Sequence, residues 1–361
     1  MNSFEKKLSE KLRERKKEGI YRKLSIFDFD IDFASNDYLG LSQTEISGEI
    51  KNTFNPGSSR LISGTNQKNI DLEAKIADYF HSEEALLFNS GYMANIGVIS
   101  TLIGRNDVIL FDEYCHASMR DAIYLSKCKA YKYKHNDLSD LERLLSKNKT
   151  ENVFILTEGL FSMTGDFAAI DEIAELGDKY NSYIILDEAH SGGILGEGGT
   201  GLISGYNQNR IIAKIITFGK AFGAHGATVL TNKLIKKYLV NFSKTFIYTT
   251  SLPDVILNKI DQNLNHFEIN KRKNQLAENI AHFIENDTSN SNRESLSPIQ
   301  IVKFENRKKL KEVEEFILGK NIGVKAIYSP TVPKSEECLR VSIHSFNTRK
   351  EILKLCKLLW E

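Results

Sequence analysis

The sequence predicts an α/β protein: a mostly parallel sheet covered by helices, followed by a smaller α+β block. Short apolar runs recur at 84–89, 107–111, 152–157, 183–187, 211–217 and 226–231. Helix-like stretches near 92–103, 116–126, 138–147 and 170–180 lie between them. Strands without a polar face, alternating with helices, belong to a sheet buried on both sides. A later group of strands (299–304, 322–327, 338–343) and helices (307–319, 348–360) follows the polar stretch 286–297 and supplies the second block.

The elements follow in order. Residues 4–18 read as a charged helix with a thin Phe4/Leu8/Leu12 stripe, a solvated helix lying on the body. Its basic residues, Lys6 to Lys17, would also suit an acidic partner. The strand–helix alternation comes next, then 254–285 as one long helix or a bent pair. Thr348 with Glu351 three residues on forms a capping box that starts the last helix. The expected division is an N-terminal helix and arm (1–45), a large domain (46–245) and a small C-terminal domain (246–361), with 286–297 as linker.

Bulk properties exclude several classes. The chain has 361 residues, 41% hydrophobic and 26% charged, which is ordinary for a globular protein. A net charge of +1 gives no drive toward nucleic acid or anionic membrane. The first residues lack an apolar signal region, and no apolar run nears the roughly 18 residues of a membrane span. Cys115, Cys128, Cys338 and Cys356 are scattered without C-x-x-C spacing. The expected compartment is the cytoplasm.

Three motifs imitate other chemistry. Asp187-Glu188-Ala189-His190 spells a helicase box, but no G-x-x-x-x-G-K-[ST] accompanies it. Gly196 to Gly201 fits G-x-G-x-x-G, yet it starts away from the strand end and opens no helix, so a dinucleotide site is not expected. His116 and His190 lack a third ligand at metal spacing, and no metal is expected.

The stronger pattern pairs Asp187 with Lys220. Ligands in such sheets sit outside the carboxyl ends of the strands, where both residues fall. Lys220 stands between Gly219 and Ala221, small neighbours that let a bulky group approach. Asp187 ends the apolar run Tyr183–Leu186, where a carboxylate is costly unless paired. A lysine, an upstream Asp and a nearby His are the parts that hold pyridoxal phosphate (PLP). The amine forms a Schiff base, the carboxylate keeps the pyridine nitrogen protonated, and imidazole bonds the phenolic oxygen. At its ordinary pKa only about one lysine in two thousand is neutral at pH 7, a penalty that this arrangement removes. His116 opens a helix after a strand, where its ring can stack on a planar group. Asn89 to Asn95 supplies a helix N-terminus for a phosphate, with Ser162 and Thr217 as hydroxyl donors.

These pieces, in register along nearly the whole chain, resemble the α-oxoamine synthase family of fold-type-I PLP enzymes. The matching segments begin with Ser35-Asn36-Asp37-Tyr38-Leu39-Gly40-Leu41, Ser63-Gly64-Thr65-Asn66, Ser90-Gly91-Tyr92 and His116-Ala117-Ser118. They continue with Thr157 to Met163, Asp187 to Gly201, Thr217 to Ala227, Ser329 to Pro333 and Leu339-Arg340. The resemblance implies a PLP-dependent transferase (aspartate-aminotransferase-like) fold, with Lys220 carrying PLP, Asp187 on the pyridine nitrogen and His190 on the phenolic oxygen. It makes His116 the stacking ring, facing cofactor and substrate, and adds Gly91, Tyr92, Ser162 and Thr217 to the cofactor site. Asn36 and Arg340 match residues that grip an amino-acid carboxylate, a task suited to guanidinium. Arg22 and Thr331 match positions near an acyl substrate. It further implies a homodimer with active sites at the interface. The implied reaction is decarboxylative condensation of L-alanine with a pimeloyl thioester, on coenzyme A or an acyl-carrier protein, in biotin biosynthesis. Glycine or serine with another acyl-CoA is the alternative. Asn69, Ser58 and Tyr328-Ser329 depart from the family pattern.

Overall fold

Residues 153–158 are buried at every position, and this strand lies inside a seven-stranded sheet, as a run without a polar face should. The computed structural model describes residues 1–24, 26, 28–46, 57–148, 150, 152–202, 210–288 and 295–361. The first part of the chain runs α1 (Ser3–Lys17), β1 (Ile31–Asp32), α2 (Gln67–Tyr79), β2 (Glu84–Phe88), α3 (Gly91–Leu102), β3 (Val108–Asp112) and α4 (Ala117–Ser126). Next come β4 (Lys129–Tyr133), α5 (Leu138–Lys147), β5 (Val153–Glu158), α6 (Ile170–Lys179), β6 (Tyr183–Asp187), β7 (Ile211–Thr217) and β8 (Ala227–Thr231). The remainder is α7 (Lys233–Phe242), α8 (Lys244–Ile247), α9 (Asp254–Leu264), α10 (Ile269–Asn286), β9 (Ile299–Lys303) and α11 (Arg307–Leu318). It ends with β10 (Ile322–Gly323), β11 (Lys325–Ile327), β12 (Cys338–Ser342) and α12 (Arg349–Leu358).

The large sheet has the order β2-β8-β7-β6-β5-β3-β4. Pairing is parallel from β4 through β7. β8 is antiparallel to both β7 and β2, so the 226–231 strand reverses the sheet's direction. Residues 218–226 are too few for the dozen or more that a parallel crossover needs. Side chains along the central strands alternate between two cores. Leu156 and Ile185 join one, and Ile155, Ile184 and Leu186 join the other, the period of two that a strand imposes. Each such burial is worth about 1.5–3 kcal/mol. β4 was not expected; Lys129, Tyr131 and Lys132 face solvent at the sheet's edge while Tyr133 is buried, a composition that blunts edge pairing.

The second block is the antiparallel sheet β11-β12-β9. Its core includes Ile280, Phe283, Leu339 and Val341, and also Phe33, Tyr38 and Leu41 from the N-terminal arm. β1 pairs with β10 in parallel, which draws that arm onto the small sheet. The 254–285 segment is the bent pair, broken between α9 and α10, and 322–327 divides into β10 and β11. The capping box at α12 forms as expected: Thr348 N donates to Glu351 Oε2 at 2.7 Å, and Glu351 N to Thr348 Oγ1 at 3.3 Å. α1 buries none of its residues. Half of the expected linker, 289–294, lies outside the described residues. Among the described residues no helix is long and apolar enough to cross a membrane.

Candidate active site

Three neighbouring strands of the large sheet finish together. β5, β6 and β7 end at Glu158, Asp187 and Thr217, and Glu158 and Asp187 are register partners. Lys220 follows in a turn closed by Gly223 N donating to the Lys220 carbonyl at 2.9 Å. Gly223 has φ +54, and a Cβ there would stand 2.0 Å from Ser42 N. Only glycine lets the lysine turn lie against the N-terminal arm.

The charged groups meet at this end. Asp187 is buried; its Oδ2 accepts from Asn95 Nδ2 at 2.6 Å and its Oδ1 from Ala189 N at 2.9 Å. Lys220 is half-buried and, among the described residues, its side-chain amine makes no hydrogen bond or ion pair. Burial lowers its pKa to about 8, against the pull of the Asp187 and Glu158 carboxylates. Roughly one such amine in ten is then neutral at pH 7, against about one in two thousand for an ordinary lysine. Burial and the neighbouring Asp187 raise Glu158 to about 8, and its Oε1 accepts the His116 backbone N–H at 2.6 Å.

Two imidazoles flank the lysine. His190 is buried, and burial with the charges of Lys220 and Arg340 keeps it neutral, well below its ordinary pKa. Its Nδ1 lies 2.7 Å from the Tyr38 hydroxyl, whose pKa burial raises to about 12. Tyr38 therefore keeps its proton; donating it to Nδ1 leaves His190 with Nε2–H, the tautomer that can serve a phenolate. His116 caps α4, and Tyr92 meets its ring edge-on, 6.2 Å between centroids at 81°. Tyr92 donates its hydroxyl to Asp121.

Arg340 lies mid-strand in β12 and is buried. Its Nε donates to the Ser162 carbonyl at 2.9 Å, and its terminal nitrogens to Ser342 Oγ at 3.1 Å and Asn36 Oδ1 at 2.9 Å. Among the described residues no carboxylate pairs with it. A buried guanidinium without an anion is costly, and one from outside the chain would offset that cost.

The residues present fit PLP. Ser90 caps α3 by accepting from Met93 N at 3.3 Å, leaving the first N–H groups of the helix open to a phosphate. A Cβ on Gly91 would come only within 3.7 Å of Thr217 Cβ, so helix start, threonine and lysine turn share one open cradle. The carboxylate, the free amine and a histidine ring stand around it.

The structure thus brings together Asn36, Gly91, Tyr92, His116, Ser162, Asp187, His190, Thr217, Lys220 and Arg340. Arg22 is not among them: it is exposed between α1 and β1 and makes no hydrogen bond or ion pair among the described residues. Thr331 is exposed and lines a cavity of about 590 Å³ with Arg120, His135 and Met163. The departing residues are accommodated locally: Asn69 completes the α2 capping box, and Tyr328 donates to Glu314 Oε2 at 3.2 Å. Gly196 to Gly201 folds around a buried carboxylate, since a Cβ on Gly201 would meet Glu188 at 2.7 Å. Sequence reasoning missed Tyr38, Glu158, Asn95 and Ser118 as site residues. All but Asn95 sit inside the matched motifs and carried a usable signal there.

His135 clasps the wall of this site. Its Nδ1 lies 2.9 Å from Asp112 and its Nε2 2.8 Å from Asp166, tying the end of β3 to the Ser162 turn. Burial opposes its protonation, but the two carboxylates outweigh burial and raise its pKa to about 9. A raised pKa means the contribution is complete below about 6.5 and disappears as pH rises through about 9. Melting scans from pH 6 to 9.5 should show Tm falling by roughly 2–4 °C across that window. A His135→Gln variant should lack the fall; an equal fall in both would remove His135 as its source.

Residues 30–359 match the family described as aminotransferase class I and II. An 8-amino-7-oxononanoate synthase of Trichlorobacter lovleyi is 32% identical over 369 residues, 96% of this chain and 94% of that protein. The crystal structure of 8-amino-7-oxononanoate synthase from Francisella tularensis aligns with TM-score 0.76 at 32% identity, covering 91% of this chain and 96% of that one. A serine palmitoyltransferase solved with PLP shares the fold, with TM-score 0.89 at 21% identity over 99% and 98% of the two chains. With an unpaired lysine and a buried aspartate at the strand ends of that fold, the chain belongs to the α-oxoamine synthase family of PLP-dependent enzymes.

Proposed function

We propose that the protein condenses L-alanine with a pimeloyl thioester, carried on coenzyme A or an acyl-carrier protein. The products are 8-amino-7-oxononanoate, CO₂ and the free thiol, a step of biotin synthesis. The observation that carries the amino-acid half is Arg340, a buried guanidinium that among the described residues has no carboxylate partner and donates to Asn36 Oδ1. The acyl half rests on the relatives named for this reaction.

Lys220 would carry PLP, with Asp187 at the ring nitrogen, His190 at the phenolic oxygen and His116 on the ring face. Gly91, Tyr92, Ser162 and Thr217 would complete the cofactor site. When bound, PLP supplies an electron sink for charge at the substrate α-carbon. Arg340 and Asn36 grip the alanine carboxylate, which fixes the α-hydrogen's direction. The neutral fraction of Lys220 takes that proton at Nζ and later returns it. Tyr38, protonated throughout, holds His190 and faces the guanidinium at 3.4 Å, so one hydroxyl links the two grips. The cavity beside Thr331, about 590 Å³, falls in the usual range for a ligand pocket and has room for an acyl chain. Ile62 and Tyr248 are 82% and 80% exposed, which supports a second copy packing there as a homodimer.

A matrix of L-alanine, glycine and L-serine against acyl thioesters, scored by thiol and CO₂ release, tests the reading. Alanine with pimeloyl thioester should give the highest kcat/KM; a higher value for glycine or serine with another acyl-CoA replaces it. In the same assay Arg340→Ala should raise the alanine KM about 10- to 150-fold, the ~1.5–3 kcal/mol of a charge-assisted contact. An unchanged KM removes Arg340 from the carboxylate site.

A further inference from the structure

A buried chain of hydrogen bonds joins Asp187 to His116, the two groups proposed for the ring nitrogen and the ring face of PLP. Asn95, one turn into α3, is 1% exposed. Its Nδ2 donates to Asp187 Oδ2 at 2.6 Å and to Ser118 Oγ at 3.0 Å, which uses both amide hydrogens. Ser118 is 0% exposed, and its Oγ lies 2.7 Å from His116 Nδ1. The Ser118 backbone N–H donates to the same nitrogen at 3.2 Å. Having accepted from Asn95, the serine hydroxyl directs its own hydrogen to Nδ1.

The direction of the chain is set at its carboxylate end. An ionised carboxylate only accepts, so Asn95 must present its NH₂ to Asp187. That choice leaves Asn95 Oδ1 buried without a hydrogen-bond partner among the described residues. Turning the amide over would set its oxygen against the carboxylate. An orphaned buried carbonyl is rare in folded proteins, and here it is the cost of the chain's polarity. Burial keeps His116 below its ordinary pKa, so the ring is neutral with one proton, and the occupied Nδ1 sends that proton to Nε2.

We infer that Asn95 and Ser118 are positioning residues that fix the tautomer and orientation of His116 by reference to Asp187. The polar side chains inside α3 and at the start of α4 thus belong to the reaction, although neither reaches the cradle. The inference rests on the reading that Asp187 and His116 face PLP.

The test uses holoenzyme labelled with ¹⁵N-histidine, His116 being assigned from a His116→Gln sample. Wild-type His116 should show its proton on Nε2. Ser118→Ala and Asn95→Ala should each give a mixture of tautomers, while Ser118→Thr, which keeps the hydroxyl, retains Nε2–H. The pH midpoint of the visible absorption of bound PLP should move by about one unit in both alanine variants, a tenfold change in that equilibrium. The double variant should move it no further than the larger single change, because one chain is being cut twice. An unchanged tautomer and midpoint in both variants, with only Tm altered, overturns the proposal and leaves Asn95 a packing residue. Should Asn95→Ala not fold, Ser118→Ala decides alone through the same signals. A colourless wild-type protein sinks the PLP reading instead, and the His116 tautomer still reports on the relay.

Discussion

Lys220→Ala is expected to reduce turnover by at least ~10⁴-fold, the upper end of what one proton-transferring group contributes. The size follows from what the amine does and from what it does not do. It makes no hydrogen bond or ion pair among the described residues, so its removal should leave Tm nearly unchanged. The loss is then chemical and not a loss of fold. On the proposed reading two tasks disappear together, holding PLP and moving the α-proton, and groups that act as a unit are not replaced by their neighbours. Glu158 is a poor substitute base, since burial and Asp187 keep it protonated up to about 8. Lys220→Arg separates charge from nucleophile: guanidinium keeps the positive charge but stays protonated, so it should fail as completely. Thiol release measures turnover, and borohydride followed by mass measurement shows whether PLP is fixed to the chain. A variant within ~10²-fold of wild type, or one still fixed to PLP, would remove Lys220 from its role.

The sequence was informative where chemistry and local pattern coincide. Asp187 stood out because a carboxylate ended an apolar strand, and Lys220 because small residues framed it at the next strand's end. Both signals are local, and both residues lie where a parallel sheet collects ligands. The antiparallel β8 was also within reach, since residues 218–226 are too short to cross over. What local pattern could not show is assembly across the chain. Tyr38 reaches His190 and Arg340 only because β1 pairs with β10 and the arm packs on the small sheet. No spacing rule encodes that contact, and it entered only as resemblance for Asn36. Asn95 is hidden for a different reason. An asparagine inside a helix reads as an indifferent surface residue until Asp187 and Ser118 are seen on either side of it. β4 escaped notice because an edge strand keeps its charges outward and lacks the all-apolar signature of its neighbours.

Arg22 and Thr331 differ in how firmly the chain holds them. Thr331 reaches the cavity wall, whereas Arg22 stays in solvent. The difference is one of tethering: Thr331 N donates to the Tyr328 carbonyl at 3.0 Å in a turn next to β11, but no described hydrogen bond or ion pair holds Arg22. The acyl end is therefore the part of the site that the chain's own packing defines least.

Asp187→Asn should lower kcat/KM by about 10²–10³, the scale of removing one preorganised charge from a site where charge develops. Two effects oppose each other in this variant, and their sizes decide the sign. The Asp187 carboxylate works against burial to keep Lys220 protonated, so its loss lowers the lysine further and enlarges the neutral fraction. That fraction is already roughly one in ten at pH 7, so the gain is at most about tenfold. Loss of the charge proposed to keep the pyridine nitrogen protonated is one to two orders larger and prevails. A smaller cost falls on the fold. Asp187 accepts two N–H groups, from Asn95 and Ala189, and the amide of asparagine has only one oxygen for them. One donor is left unmet, about 1–3 kcal/mol, and Tm should drop accordingly. The measurements are kcat/KM from CO₂ release between pH 6 and 9, with Tm alongside. The deficit should be smallest at low pH, where wild-type Lys220 is most protonated and the variant's lowered lysine gains most. A variant within tenfold of wild type across that range would show that the charge of Asp187 is not used in the reaction.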